Sequence, residues 1–162
     1  MDKEPERKKI YSKQEGYLKA CNYCAYQERS QNEVRNKLYD WGLYPSDIEQ
    51  IITDLIQENF LNEERFALAY TLGKFRIKGW GKKKIKQGLK LKRIPEKLIN
   101  KSLNKIDGDL YIETLTVLLT KKNNLLHEKD PLKRKYKLIQ YAIMKGYESD
   151  LIFDVLNNNK LT

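Results

Sequence analysis

Soft metal ligands are scarce in this 162-residue chain. It contains two cysteines, Cys21 and Cys24, and one histidine, His127, which lies far away in sequence. A structural zinc site normally uses four ligands, and a disulfide framework needs several cysteine pairs. The sequence therefore predicts no metal, no cofactor and no redox site, and it places the C-x-x-C pair on the buried side of a helix.

Long apolar runs are also missing. No stretch approaches the roughly 18–20 apolar residues of a membrane span. The opening residues MDKEPERKKIYSK lack the apolar core of a secretory signal. Four prolines and no alternating β-branched runs leave little room for sheet. These absences predict a helical, cytoplasmic protein that does not contact membranes.

Acidic residues are absent from one long segment. The net charge is +10, and the segment from Arg65 to Pro95 holds eleven basic residues and no acidic one. The rest of the chain has 21 basic and 22 acidic residues. The whole positive excess therefore lies in the middle of the chain, which is typical of a polyanion-binding face.

Apolar positions recur with a period close to 51 residues, and within each copy their spacing is helical. The aligned sets are Val34, Leu38, Leu43, Ile48, Ile52 and Leu55; then Ile85, Leu89, Ile94, Ile99, Leu103 and Ile106; then Leu138, Ala142, Tyr147, Ile152 and Leu156. One such copy is small for a core of its own, so neighbouring copies should stack. We predict an all-α fold of three tandem three-helix repeats stacked into an elongated array. The predicted divisions are a flexible charged tail (1–13), repeat 1 (14–60), the basic repeat 2 (61–107) and repeat 3 (108–162).

Several residues mark predicted helix ends. Ser30 with Glu33 forms a capping box, Asn62 is a candidate N-cap, and Asp130 caps a helix that opens with Pro131. Gly42 and Gly146 follow the middle helices of repeats 1 and 3, where a left-handed residue ends a helix. Repeat 2 has Arg93 at this place, which removes an easy left-handed cap and is expected to alter the turn.

Catalytic groups are not apparent. Gly79-Trp80-Gly81 precedes a lysine run but lacks the spacing to a Lys-Ser/Thr pair that a phosphate-binding loop requires. The eleven tyrosines have no clustered arginine or histidine partners. We therefore predict that the chain is not an enzyme and has no catalytic residue.

The basic segment supplies the candidate binding residues. On a helical wheel Lys83, Lys86, Lys90 and Arg93 share one flank, and Ile85 and Leu89 define the buried side. Like charges at this spacing repel each other, so a purely structural helix would interleave acids; a solvated lysine face remains the alternative. In repeat 3, Lys135, Tyr136 and Lys137 occupy the position of Lys82 to Lys84, with Lys133 and Arg134 just before them, and the two clusters are expected to form a continuous rim. The predicted binding set is Arg76, Lys78, Trp80, Lys82, Lys83, Lys86, Lys90, Arg93, Arg134 and Lys135.

Two stretches resemble the RecX family of recombination regulators: YQERSQNEVRNKLYDWG and LNEERFALAYTLGKFRIKGWGKKKIKQGLKLKRI. The matching residues are Arg29, Ser30, Glu33, Val34, Lys37, Leu38 and Gly42 in the first, and Leu61, Glu63, Glu64, Phe66 and Ala67 in the second. Two positions depart from the family pattern, because Glu63 replaces an aspartate and Arg93 replaces a glycine.

The resemblance implies an elongated, curved array that binds the RecA protein and the RecA–single-stranded-DNA filament. Such proteins lie in the filament groove and restrain filament growth, ATP turnover, strand exchange and repressor cleavage in DNA repair and the SOS response. A monomer is expected, and direct DNA contact stays open.

The residues alone leave two other functions open. One is a non-sequence-specific DNA-binding helical module that acts without RecA, since lysines mostly contact phosphate and no helix carries a base-reading set of Arg, Asn and Gln. The other is a repeat scaffold for a different acidic protein.

Overall fold

The computed structural model describes residues 11–161, which form helices and no strand. The helices are α1 (Lys13–Tyr26), α2 (Gln31–Asp40), α3 (Pro45–Gln57), α4 (Glu63–Lys78), α5 (Lys82–Leu91), α6 (Glu96–Leu103), α7 (Gly108–Leu125), α8 (Pro131–Lys145) and α9 (Ser149–Asn158). They group into three three-helix repeats, α1–α3, α4–α6 and α7–α9, so the predicted all-α repeat fold is confirmed. Residues 1–10 of the predicted tail lie outside the described residues. Between residues 11 and 161 no helix has both the length and the apolar character needed to cross a membrane.

The chain forms two compact units, which divide between Phe66 and Ala67 inside α4. The first unit contains α1, α2, α3 and the first turn of α4. Its core includes Ala20, Val34, Leu38, Ile51 and Leu55, all fully buried. The second unit contains the rest of α4 and the five helices that follow it.

The apolar positions that recur along the sequence are all buried. The first members of the three aligned sets, Val34, Ile85 and Leu138, are at 0% exposure and lie at equivalent points of α2, α5 and α8. The remaining aligned residues are each at most 7% exposed. The repeat therefore reflects one packing pattern used three times, in which the same turns of each middle and last helix face the core.

The predicted helix starts are confirmed. The Ser30 hydroxyl accepts from the Glu33 N–H at 3.0 Å, and the Glu33 carboxylate accepts from the Ser30 N–H at 2.9 Å. The Asn62 side chain accepts from the Arg65 N–H at 2.9 Å, and the Asp130 carboxylate accepts from the Leu132 N–H at 2.9 Å. Each contact satisfies an amide that the first turn of a helix leaves unpaired.

The turn after each middle helix is the same in all three repeats. Gly42, Arg93 and Gly146 have φ values of 81°, 58° and 98°. The Arg93 N–H donates to the Lys90 carbonyl at 2.9 Å and the following Ile94 N–H to Leu89 at 3.1 Å, as their equivalents do in the other repeats. The expectation that Arg93 alters the turn is therefore wrong, because burial of Ile94 and these hydrogen bonds hold a non-glycine residue in the left-handed region. Since α5 ends at Leu91, Arg93 also lies beyond the helix and not on its lysine flank.

Replacing Arg93 with glycine should stabilise the second unit. A side chain in the left-handed region costs about 1 kcal/mol relative to glycine, so Arg93→Gly is expected to raise the free energy of unfolding by about 0.5–1 kcal/mol. Arg93→Asn should give an intermediate value, because asparagine tolerates this conformation better than arginine. Urea denaturation followed by circular dichroism measures the free energies of unfolding of wild type, Arg93→Asn and Arg93→Gly. A loss of stability in both variants would contradict the prediction.

Candidate polyanion-binding surface

The basic helix α5 begins without a side-chain cap. Its N-cap is Gly81, and its first turn carries Lys82, Lys83 and Lys84 with no acidic residue. The N-terminus of a helix has a partial positive charge and unpaired N–H groups, so three lysines there are unfavourable. Compensation for this helix start must come from elsewhere in the protein.

The third repeat supplies that compensation. The Gly81 N–H donates to the Lys145 carbonyl at 2.8 Å, and the Lys83 N–H donates to the Gly146 carbonyl at 3.0 Å. The Lys82 N–H donates to the Tyr111 hydroxyl at 2.9 Å. The end of α8 and one tyrosine of α7 thus satisfy the first amides of α5, a structural role that sequence reasoning missed.

Tyr111 links the start of α5 to a carboxylate. Its hydroxyl donates to Glu148, with its oxygen 2.9 Å from Oε2, while accepting from the Lys82 N–H. Burial raises the pKa of Tyr111 above its ordinary value, so the hydroxyl stays protonated and can donate. Glu148 therefore connects to the lysine-rich helix start through two hydrogen bonds that share the Tyr111 hydroxyl.

The turn before α5 is held by close packing. A Cβ at Gly81 would lie 2.4 Å from the Gly146 carbonyl carbon, and a Cβ at Gly146 would lie 2.4 Å from the Lys84 Cβ. The Tyr147 hydroxyl donates to the Gly79 carbonyl at 2.9 Å. Because two backbones meet here, glycine is required at both junctions.

The residues predicted from repeat 2 occupy the solvent-facing side of this turn and of α5. Arg76, Lys78, Lys83, Lys90 and Arg93 are exposed. On the opposite side of α5, Ile85 and Leu89 are fully buried. Lys86 is half-buried, and its Nζ lies 3.4 Å from Oε1 of Glu96, the first acidic residue after the acid-free segment. The face is therefore strongly basic at Lys83 and Lys90 and partly neutralised at Lys86.

Aromatic rings position the remaining cations of the turn. Trp80 is half-buried, with Nζ of Lys84 at 4.5 Å and Nζ of Lys74 at 4.9 Å from its ring centroid. Lys82 lies over Tyr111, with 5.0 Å between Nζ and the centroid. Cation–π attraction favours such placements and keeps the ammonium groups near one another. The predicted binding set does not contain Lys74 and Lys84, although their spacing around Trp80 could have indicated them.

The two basic clusters do not meet where α5 contacts α8. Lys135 lies in the first turns of α8, while α5 contacts Lys145 and Gly146 at the other end of that helix. Eleven residues separate Lys135 from Gly146, which corresponds to about 16 Å at a rise of ~1.5 Å per residue. The start of α5 and the start of α8 therefore do not meet at this junction, and a continuous rim formed by the two clusters stays a prediction.

Arg134 is engaged inside the protein. Its guanidinium donates to the Asn123 carbonyl at 2.6 Å, the Glu128 carbonyl at 2.7 Å and the Asn123 side-chain oxygen at 2.8 Å. These groups belong to the end of α7 and the loop that follows it. The planar guanidinium therefore holds the α7–α8 connection in place. Its role in partner binding stays a prediction.

A groove of about 450 Å³ lies beside Arg76 and Lys78, between the last turn of α4 and α7. Its lining includes Val117, Leu118 and Ile77, and Ile77 is 81% exposed. Lys121 and Glu113 also line it. Sequence reasoning missed the groove because its two walls lie about 40 residues apart in the chain.

The C-x-x-C pair lies in α1. Cys24 is buried and Cys21 half-buried. Burial raises the pKa of the Cys24 thiol to about 11, which keeps it protonated at neutral pH and makes it a poor metal ligand or nucleophile. Within residues 11–161, no three His, Cys, Asp or Glu side chains are grouped as metal ligands would be.

Three family models match the chain in order. They describe the first three-helix domain of RecX (residues 17–55), the second (62–103) and the third (109–156). The regulatory protein RecX of Bacillus thuringiensis (strain Al Hakam) is 27% identical over 139 residues, which are 86% of this chain and 52% of that protein. The same-named protein of Bacillus mycoides (strain KBAB4) is 26% identical over the same shares. The chain thus spans about half the length of the curated relatives it matches.

Solved structures agree with the repeat fold. The crystal structure of RecX from Lactobacillus salivarius superposes with a TM-score of 0.83 at 27% identity, covering 93% of this chain and 97% of that one. A second crystal structure, of a regulatory protein RecX, has a TM-score of 0.80 at 21% identity and covers 90% of this chain and 73% of its own; it supports the fold alone.

Gly81→Ala should destabilise the second unit. The added methyl group would meet backbone atoms that cannot move away, so we expect a loss of about 1–3 kcal/mol in the free energy of unfolding. Gly73→Ala is the matched control, because a Cβ at Gly73 in α4 meets nothing within 4 Å. That variant should gain about 0.5–1 kcal/mol from helix propensity. Equal stability of the two variants in chemical denaturation would refute the close-packing account.

Tyr111→Phe should lower the free energy of unfolding by about 1–3 kcal/mol, because it leaves the Lys82 N–H and Glu148 without a partner. The effect should depend on pH. Unfolded tyrosine ionises near pH 10, whereas the raised pKa keeps folded Tyr111 protonated, so wild-type stability from this group is complete below about pH 10 and is lost above it. The wild-type advantage over the phenylalanine variant is therefore expected to begin to shrink at about pH 10 and to shrink further as the pH of the urea titrations rises. If the difference in the free energy of unfolding between wild type and variant stays constant over this pH range, the Tyr111 hydroxyl does not connect the start of α5 to Glu148.

Proposed function

The chain belongs to the RecX family, and from this premise we propose that it binds the RecA recombinase on its single-stranded-DNA filament. In this proposal it modulates, mainly by inhibition, the recombinase and ATPase activity of RecA in DNA repair and the SOS response. The relatives it matches are named regulatory proteins, which agrees with a regulatory and not a catalytic role.

The observation that carries the proposal is the basic face of α5. Lys83 and Lys90 are exposed on a helix whose other side, Ile85 and Leu89, is fully buried. Folding anchors this helix while leaving like charges close together in solvent, where they repel each other. A polyanionic or acidic partner would relieve that repulsion and release counterions, which gives the face a favourable binding free energy.

The groove beside Arg76 and Lys78 favours a partner that contains protein. Ile77, Val117 and Leu118 offer an apolar surface next to Arg76 and Lys78. Phosphates contact cations but gain nothing from an apolar groove, whereas protein interfaces combine an apolar centre with a charged rim. A filament made of protein and DNA presents both chemistries.

The test follows ATP hydrolysis by RecA on single-stranded DNA as this protein is added. Wild type should inhibit turnover at concentrations below that of RecA. A Lys83→Gln, Lys90→Gln variant should require roughly 5- to 30-fold more protein, because each charge contact contributes about 0.5–1 kcal/mol. Lys97→Gln, Lys105→Gln is the control, since it removes the same charge from exposed positions on and just after α6 of the same repeat. It should inhibit as wild type does.

Two results would count against the proposal. If turnover is unchanged while naked DNA is bound tightly, the chain is a DNA-binding module that acts without RecA. If the control loses as much inhibition as the α5 variant, net charge and not this face is responsible. Inhibition should also weaken steeply with added salt, and a flat response would remove electrostatics from the account.

A further inference from the structure

Helix α8 has several large side chains on its solvent-facing side, outside the core. Leu138 and Ala142 form its buried side. On the opposite side Tyr136 and Met144 are 63% and 75% exposed, two turns apart. Together with Tyr141 they line a shallow hollow of about 360 Å³ between the end of α7 and α8. We call the surface formed by these three residues and three nearby lysines the α8 patch; the lysines are Lys122, Lys133 and Lys137.

Lysines surround the hollow. Lys122 of α7 and Lys137 of α8 line it, and Lys133 is exposed one turn before Lys137. Nζ of Lys122 lies 5.1 Å from the Tyr141 ring centroid. Nζ of Lys137 lies 3.0 Å from Oε2 of Glu128, so one of the three cations is partly neutralised. The patch therefore combines exposed aromatic and thioether groups with a positive rim.

This combination selects a particular ligand chemistry. An occupant must offer flat apolar faces for the rings and closely spaced negative charges for the lysines. A single-stranded nucleic acid offers both, because its bases are unstacked and its phosphates repeat at every nucleotide. A duplex hides its base faces, and an acidic helix would present aliphatic side chains where the two tyrosines favour stacking. We propose that the α8 patch is a base-stacking site for single-stranded nucleic acid.

The site is separate from the α5 face. Tyr136 lies near the start of α8, whereas the start of α5 contacts the end of α8, and no residue of the α8 patch belongs to α5. The inference goes beyond the proposed function, since the stacking site would bind a strand in the absence of recombinase. On a filament, the two surfaces could contact protein and exposed strand separately.

The test measures fluorescence anisotropy of a labelled 20-nucleotide oligo(dT) with the whole chain and no RecA. Tyr136→Ala should weaken binding about 5- to 100-fold, the value of one stacked base, while Tyr136→Phe should stay within about twofold because it keeps the ring. Tyr39→Ala, which removes an exposed tyrosine from α2 in the first unit, is the control and should bind as wild type. Lys133→Gln should lower the slope of log affinity against log salt by about 0.7.

The same variants are measured on a 20-base-pair duplex, where Tyr136→Ala should have little effect. An oligonucleotide carrying 5-iodouracil should also crosslink to Tyr136 or Tyr141, as mapped by mass spectrometry. The inference is overturned if oligo(dT) is not bound, if Tyr136→Ala binds as wild type, or if the loss is equal on the duplex. An acidic peptide that competes while oligo(dT) does not bind would assign the patch to a protein partner instead.

The two proposals can fail independently. If RecA turnover is inhibited but Tyr136→Ala leaves oligo(dT) binding unchanged, the stacking site is wrong and the regulatory function stands. If the tyrosine variants behave as expected but RecA turnover is unaffected, the stacking site stands and the recombinase proposal fails.

Discussion

The second unit depends on the place where the backbone of Gly81 meets the backbone of Gly146. A lysine-rich helix start is electrostatically unfavourable, and α5 carries neither a capping side chain nor an acid in its first turn. The carbonyls at the end of α8 and the hydroxyl of Tyr111 satisfy its first amides instead. Only glycine allows the two chains to approach closely enough for these hydrogen bonds.

This arrangement explains how the protein keeps a strongly basic surface on a stable fold. The compensating carboxylate, Glu148, reaches the helix through Tyr111 from within the protein, so it does not cover the solvent-facing lysines. The favourable hydrogen bonds lie on the buried side of the turn, and Lys83 and Lys90 remain exposed. The contacts that stabilise α5 and its exposed lysines therefore lie on opposite sides of the same helix.

The position of α8 gives the unit two surfaces of different character. Its end supports the basic α5 face, and a partly apolar groove lies between α4 and α7, beside Arg76 and Lys78. Its start carries Tyr136 among lysines, which suits stacking as well as charge. Arg134 ties this start to the end of α7, so the patch rests on a fixed connection. Arginine and lysine, although equal in charge, serve different purposes here.

The sequence by itself determined the repeat, the helix caps and the buried face of α5, because helical periodicity and end signals such as Ser30 with Glu33 are local. It also located the positive excess, since charge can be counted along a chain. Only the tertiary structure decided the surroundings of individual cations: it placed Lys135 about a helix length from the start of α5, turned the Arg134 guanidinium toward the end of α7 and paired Lys86 with Glu96. It likewise held Arg93 in a left-handed turn that its residue type disfavours. These outcomes depend on contacts between residues far apart in sequence, such as Gly81 with Gly146 and Lys82 with Tyr111, and no local pattern encodes them.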